Sequence, residues 1–246
     1  MNGFSAHNID HLSASSLNAY ATQPASWCME RLLKVSVPVS AAAHRGTAIE
    51  AGVTIGLLYP DYDIEKCQGI ATQKFNELTA LSGDPKRQQE ADAVAPSVEI
   101  ALAELRQYGF PHGVQERIEK PLGDDLPPLI GFIDFRFGPT VVDLKTQLRL
   151  SSDISTPHAR QVAGYVAGTN HEGRVCYVTP KKAGVYRLED VEQRFNELRQ
   201  IAIRLERFLA ISNDPHELAG LLVPDTTHYF WSNPIAEAHR KEVYGF

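Results

Sequence analysis

The chain has 246 residues, 43% of them hydrophobic and 22% charged, with a formal net charge of −6 and an isoelectric point near 5.8. That length and apolar content can bury a substantial core, in one α/β domain carrying a helical elaboration. The acidic balance excludes a global basic field that would draw in a polyanion, so a nucleic-acid partner would need a local basic groove, or metal ions bridging carboxylates to phosphate.

The first ten residues are polar and lack the apolar run of a signal peptide, and no stretch approaches 18 apolar residues. Cys28, Cys67 and Cys176 are widely spaced with no Cys-x-x-Cys pair. They suit buried roles in a reducing compartment better than a disulfide framework. The expectation is a cytoplasmic protein with no membrane partner.

From His11, the run Leu-Ser-Ala-Ser-Ser-Leu opens a helix that Ser13 or Ser15 can cap, and Pro24 restarts a second short helix through Leu33. Such a helix start is either an ordinary cap or, with its free N–H groups and hydroxyls, a phosphate site. Ser40 to Leu58 reads as a helix dominated by small residues, expected to lie close against a sheet. Glu50 is its only carboxylate, and His44 and Arg45 could meet an anion near its start. Residues 61–80 and 86–108 read as two helices separated by Ser82-Gly83-Asp84-Pro85. The second carries Val94, Val98, Leu102 and Leu105 at helical intervals.

From Gly113 the pattern turns to strands: Val114 to Ile118, a loop from Pro121 to Pro128, then two apolar runs flanking Gly138-Pro139. Glu116 and Glu119 read as solvated edge charges. In a strand, side chains at i and i+2 share a face, so Asp143 and Lys145 point one way while Val142 and Leu144 point into apolar packing. Asp134, on the strand before the turn, can meet them across the hairpin. Two carboxylates and an ammonium on one side of an apolar sheet are costly unless something uses them. A hard divalent cation held by Asp134 and Asp143, beside Lys145, would do so. The bland alternative is an exposed hairpin with a surface ion pair, worth about 1 kcal/mol or less.

After a polar loop, Pro157 suits the first turn of a helix on which Gln161 and Tyr165 share one face, with Arg160 beside them. Arg174 to Thr179 and Gly184 to Leu188 read as strands. A long amphipathic helix follows, with Val191, Phe195, Leu198, Ala202, Leu205 and Leu209 on its apolar stripe. The tail mixes loop and short helix, and its Tyr229-Phe230-Trp231 cluster is expected to pack on the core rather than stack on bases.

Four separated pieces, in order, resemble the RecB-like branch of the PD-(D/E)xK nuclease superfamily, which includes phage exonucleases of the lambda type and CRISPR-associated adaptation nucleases. They are the Leu-Ser-Ala-Ser-Ser-Leu start with its downstream Pro-x-x-Trp, Arg45-Gly-Thr-Ala-Ile-Glu50, Gly131-x-x-Asp134 with Asp143-x-Lys145, and Gln161-x-x-x-Tyr165. Glu50 stands where many members of the branch have His, and remains a good ligand for a hard cation. The resemblance implies a single nuclease domain over 1–246: a helical part at about 11–110, a catalytic core at about 111–190, and a C-terminal helix and tail. That core would be a restriction-endonuclease-like mixed β-sheet flanked by helices.

The resemblance further implies a metal-dependent DNA exonuclease in phage-type recombination or DNA processing. An endonuclease, or a non-catalytic DNA-binding subunit keeping the fold, would be its nearest rival. The same resemblance makes Glu50, Asp134, Asp143 and the Leu144 carbonyl ligands of Mg²⁺ or Mn²⁺, and Lys145 catalytic. Gln161, Tyr165, Arg160, Arg45, Ser13 and Ser15 become candidate DNA contacts. It also suggests a single-strand annealing partner and assembly into a homo-oligomer. No iron–sulfur cluster is expected, because Cys176 has no cysteine after it.

Overall fold

The computed structural model describes residues 2–246. Among them, α1 (Gly3–Ala6), α2 (Ala14–Thr22), α3 (Pro24–Arg31), α4 (Ala41–Leu58), α5 (Ile64–Leu78), α6 (Arg87–Asp92) and α7 (Val94–Leu105) precede the strands β1 (Gly113–Lys120), β2 (Leu129–Phe137) and β3 (Thr140–Thr146). Then come α8 (Thr156–Thr169), β4 (Glu172–Val178), β5 (Ala183–Arg187), α9 (Val191–Leu209), α10 (Pro215–Gly220) and α11 (Pro234–Tyr244). No helix among the described residues is long and apolar enough to cross a membrane.

The strands form one sheet in the order β1-β2-β3-β4-β5. β2 and β3 are antiparallel, β3 and β4 parallel, and β4 and β5 antiparallel. A parallel neighbour needs a crossover, which α8 supplies. The sheet is therefore mixed and the chain α/β, as its sequence implies.

The chain divides into two compact units. One comprises Val39–Arg117 with Phe132–Glu189, and the other Met1–Pro38, Ile118–Gly131 and Asp190–Phe246. In the first of these, strand alternation separates two faces. Phe135, Phe137, Val142, Leu144, Cys176 and Val178 point into a core shared with α4, α5 and α7. On the opposite face of β4, Gly173 lies under Val162 of α8, and the Tyr177 hydroxyl meets His158 of the same helix. Asp143 and Lys145 alternate with Val142 and Leu144, so they lie on the α8 side.

One expectation about the helices is extended and one is corrected. The small residues of α4 do lie against the sheet: a Cβ on Gly46 would meet Thr146 Oγ1 of β3 at 3.5 Å, and Ala48 and Ile49 share a core with Val142 and Leu144. They also admit a second helix, since a Cβ on Gly52 would lie 2.7 Å from the Cys67 carbonyl oxygen and 2.8 Å from the Ala71 Cβ of α5. The helix expected over 86–108 is broken at Ala93 into α6 and α7, ending in a 3₁₀ turn at Arg106–Tyr108. Pro96 gives the reason, since it has no N–H and its ring clashes with a carbonyl four residues back. Restarting the helix at Val94 places it in a first turn, where neither matters.

The other unit is built on α9, whose Leu198, Ala202, Leu205 and Leu209 pack with Phe4, Leu17, Trp27 and Cys28. Ser13 is the N-cap of α2, its side chain accepting from the Ser16 N–H, and Trp27 Nε1 donates to Ser16 Oγ at 2.9 Å. Phe230 and Trp231 are buried with Ala25 and Met29, as expected of them, while Tyr229 is exposed. The three cysteines are free and buried.

Candidate active site

The site begins with the β2–β3 turn, where Gly138 takes a left-handed φ of +56° and reverses the chain. The ladder runs from Phe137–Thr140 to Phe135–Val142, and one further step in that register sets Asp134 against Asp143. There the pairing passes to a side chain: Asp134 Oδ2 accepts the Leu144 N–H at 2.7 Å.

Asp143 is buried, with only 1% of its surface exposed. Lys145 Nζ lies 3.0 Å from its Oδ1 and 2.9 Å from its Oδ2. Only the Oδ1 contact has hydrogen-bond geometry, so Oδ2 is a buried acceptor without an aligned donor. An exposed surface ion pair is thereby excluded.

Glu50 enters from α4. Gln115 of β1 connects it to the hairpin, its Nε2 lying 2.5 Å from Glu50 Oε1 and 3.1 Å from Asp134 Oδ1. Glu50, Asp134, Asp143 and Lys145 therefore act on one another. Burial and the neighbouring Asp143 push the Asp134 carboxyl up to about 8, against the pull of Lys145. Burial also raises Glu50, with Lys145 opposing and Asp143 adding to the rise. For Lys145, burial works against the charge, but Asp143, Asp134 and Glu50 outweigh it and the net shift is upward. The lysine is held as an ammonium, while burial and mutual repulsion hold Asp134 and Glu50 toward their protonated forms.

α8 closes the other side. Gln161 Nε2 donates to the Tyr165 hydroxyl at 2.6 Å. Burial, then Asp143 and Asp134, raise the Tyr165 phenol well above its ordinary range, which keeps it a neutral hydroxyl beside the carboxylates. Tyr165 is itself buried, while Gln161 is only partly so. His158, one turn earlier, has Nδ1 2.7 Å from the Tyr177 hydroxyl, and that hydroxyl accepts the Ser155 N–H. Burial and Lys145 lower the His158 pKa.

Of the residues expected in the site, Glu50, Asp134, Asp143, Lys145, Gln161 and Tyr165 are brought into this one group, and Leu144 takes part through its amide N–H. Arg45 does not present itself to an anion. Its guanidinium is buried against the Glu90 carboxylate and donates to the Thr146 carbonyl at 3.1 Å. Arg160 sits beside Gln161, partly buried. Ser13 and Ser15 belong to the other unit, where their hydroxyls bond each other at 3.0 Å beside the α2 cap. Glu116 is held bidentately by Arg136, at 2.5 and 2.9 Å.

Gln115, His158 and Tyr177 have no part in the sequence reading. The signal for His158 is its spacing, three residues before Gln161 and seven before Tyr165, on one helix face. Gln115 carries no such signal.

Among the described residues, no three His, Cys, Asp or Glu side chains are gathered into a ready metal centre. The donors are nonetheless oxygen-rich and hard, the kind that suits Mg²⁺ or Mn²⁺, and Asp143 Oδ2, 2.9 Å from the Lys145 ammonium, accepts no aligned hydrogen bond. The residues fit such an ion by their chemistry.

No protein-family model matches the chain, and neither does any curated protein. A solved structure titled "Crystal structure of SSO0001" is similar at 15% identity over 78% of this chain and 83% of that one, with a TM-score of 0.36. That score carries no argument about fold or function.

Proposed function

We propose that the chain is a metal-dependent deoxyribonuclease with a restriction-endonuclease-like core, hydrolysing phosphodiester bonds as an exonuclease in phage-type recombination or DNA processing. One observation carries the reading. Asp134, Asp143 and Glu50 share a single compensating lysine at the end of the β2–β3 hairpin, and burial together with Asp143 pushes Asp134 up to about 8. Once ionised, carboxylates so placed repel a phosphodiester unless a cation intervenes.

In this reading Glu50, Asp134, Asp143 and the Leu144 carbonyl hold Mg²⁺ or Mn²⁺. Such an ion, when bound, polarises the phosphate and lowers the pKa of an attacking water. Lys145, fixed by Asp143, supplies positive charge where the non-bridging oxygens become more negative in the transition state. Gln161 and Tyr165 keep the hairpin in place. A binding module that never cut DNA would gain nothing from three carboxylates that oppose its ligand.

Digestion of end-labelled linear and closed circular DNA tests the reading. Loss of the linear form alone, in Mg²⁺ or Mn²⁺ and not in EDTA, is the expected result. Cutting of the circle as well makes the protein an endonuclease. Binding of DNA without cleavage of either form overturns the catalytic reading.

A further inference from the structure

Gln115 combines two features that ordinary strand packing does not explain. Its backbone has φ +51°, in the left-handed region, within β1. A residue with a Cβ is strained in that conformation, and it persists only where the surroundings over-determine it. The amide is also the donor shared by Glu50 Oε1 and Asp134 Oδ1. The strain and the contact belong together, since a left-handed residue breaks the two-residue alternation of a strand and re-aims its side chain. Independently, Asp143 Oδ2 is a buried acceptor in the same group with no aligned donor.

We propose that Gln115 is a ligand of the cation site, turning its side-chain amide so that Oε1 faces the ion in place of Nε2. The inference rests on the metal-dependent reading above and deepens it. Nε2 now stands where positive charge is wanted between two carboxylates, and its two N–H groups satisfy them. A cation shared by Glu50 and Asp134 makes those N–H groups repulsive. Rotation about the last side-chain bond exchanges them for a carbonyl oxygen at almost the same place, and amide oxygens are ordinary ligands of hard cations. The amide thus stands in for the ion until it arrives.

The test is Mn²⁺ affinity, measured by calorimetry on the full chain stripped of metal, for wild type, Gln115→Gly and Gln115→Glu. Glycine accepts the left-handed backbone, so the first variant removes the side chain without asking the strand to refold. It is expected to bind Mn²⁺ about 10–100-fold more weakly. Gln115→Glu places a carboxylate oxygen where the amide oxygen would turn, and is expected to bind at least as tightly as wild type while melting lower without metal. Wild-type affinity in Gln115→Gly, or an affinity loss in Gln115→Glu as large as in Gln115→Gly, overturns the ligand role and leaves the nuclease reading standing. Absence of Mn²⁺ binding by the wild type overturns both.

Discussion

At the scale of single residues, the site is a problem in charge. Folding takes Asp134 from an ordinary carboxyl near 3.8 to one pushed up to about 8, chiefly by burial and Asp143. Between those values the folded chain keeps a proton that the unfolded chain has released, so stability falls as pH rises through the window. Glu50 shifts in the same direction and adds to the slope. The melting temperature of metal-stripped protein is therefore expected to decline from pH 5 to pH 8. Asp134→Asn should flatten that decline and melt higher at pH 8, by about 2–4 °C for each kcal/mol recovered. Mn²⁺ reverses the sign, because it binds the ionised carboxylates, and its stabilisation should grow with pH. Identical pH profiles for wild type and Asp134→Asn would contradict this account of the cluster.

At the scale of elements, the position of α4 matters because it carries Glu50. Gly52 lets α5 approach it, and the buried Arg45–Glu90 pair ties it to α6. Arg45 is thus a structural residue, with a prediction that a DNA contact would not make. Arg45→Met should destabilise the fold by about 3–5 kcal/mol by leaving Glu90 buried and uncompensated, whereas Arg45→Met with Glu90→Leu should recover most of the loss. Thermal melts decide it, and equal stability of the single and double variants would show that the pair is not coupled.

The same elements show what is legible in a sequence. Asp143, Lys145, Val142 and Leu144 sort correctly because a strand alternates with period two, whatever its surroundings. Ser13 caps α2 because capping is local chemistry. Gln161 and Tyr165 meet because four residues make one helical turn. The misplaced features depend on distant partners instead. Arg45 looks exposed until Glu90 arrives from α6, and the glycines of α4 do not say that α5 approaches them as well as the sheet. Gln115 is illegible for another reason: nothing in Gly-Val-Gln-Glu-Arg-Ile marks its left-handed φ, which neighbouring packing has to impose.

At the scale of the whole molecule, the proposed cutting of DNA by an acidic chain would require its repulsion to be solved locally. The formal charge of −6 gives no long-range attraction, so a cation among the carboxylates would have to supply attraction and chemistry together. Productive binding should then depend on divalent metal more steeply than on monovalent salt. The chain's residues, its hairpin and its overall charge meet in Lys145, the one ammonium inside the group of carboxylates. The deciding measurement is the rate at which linear duplex DNA loses its end label in saturating Mn²⁺, wild type beside Lys145→Ala at matched folded concentration. A fall of about 10²–10³-fold, with Mn²⁺ still bound, is the predicted result. Equal rates in the two proteins, or an equal rate in EDTA, would contradict the account.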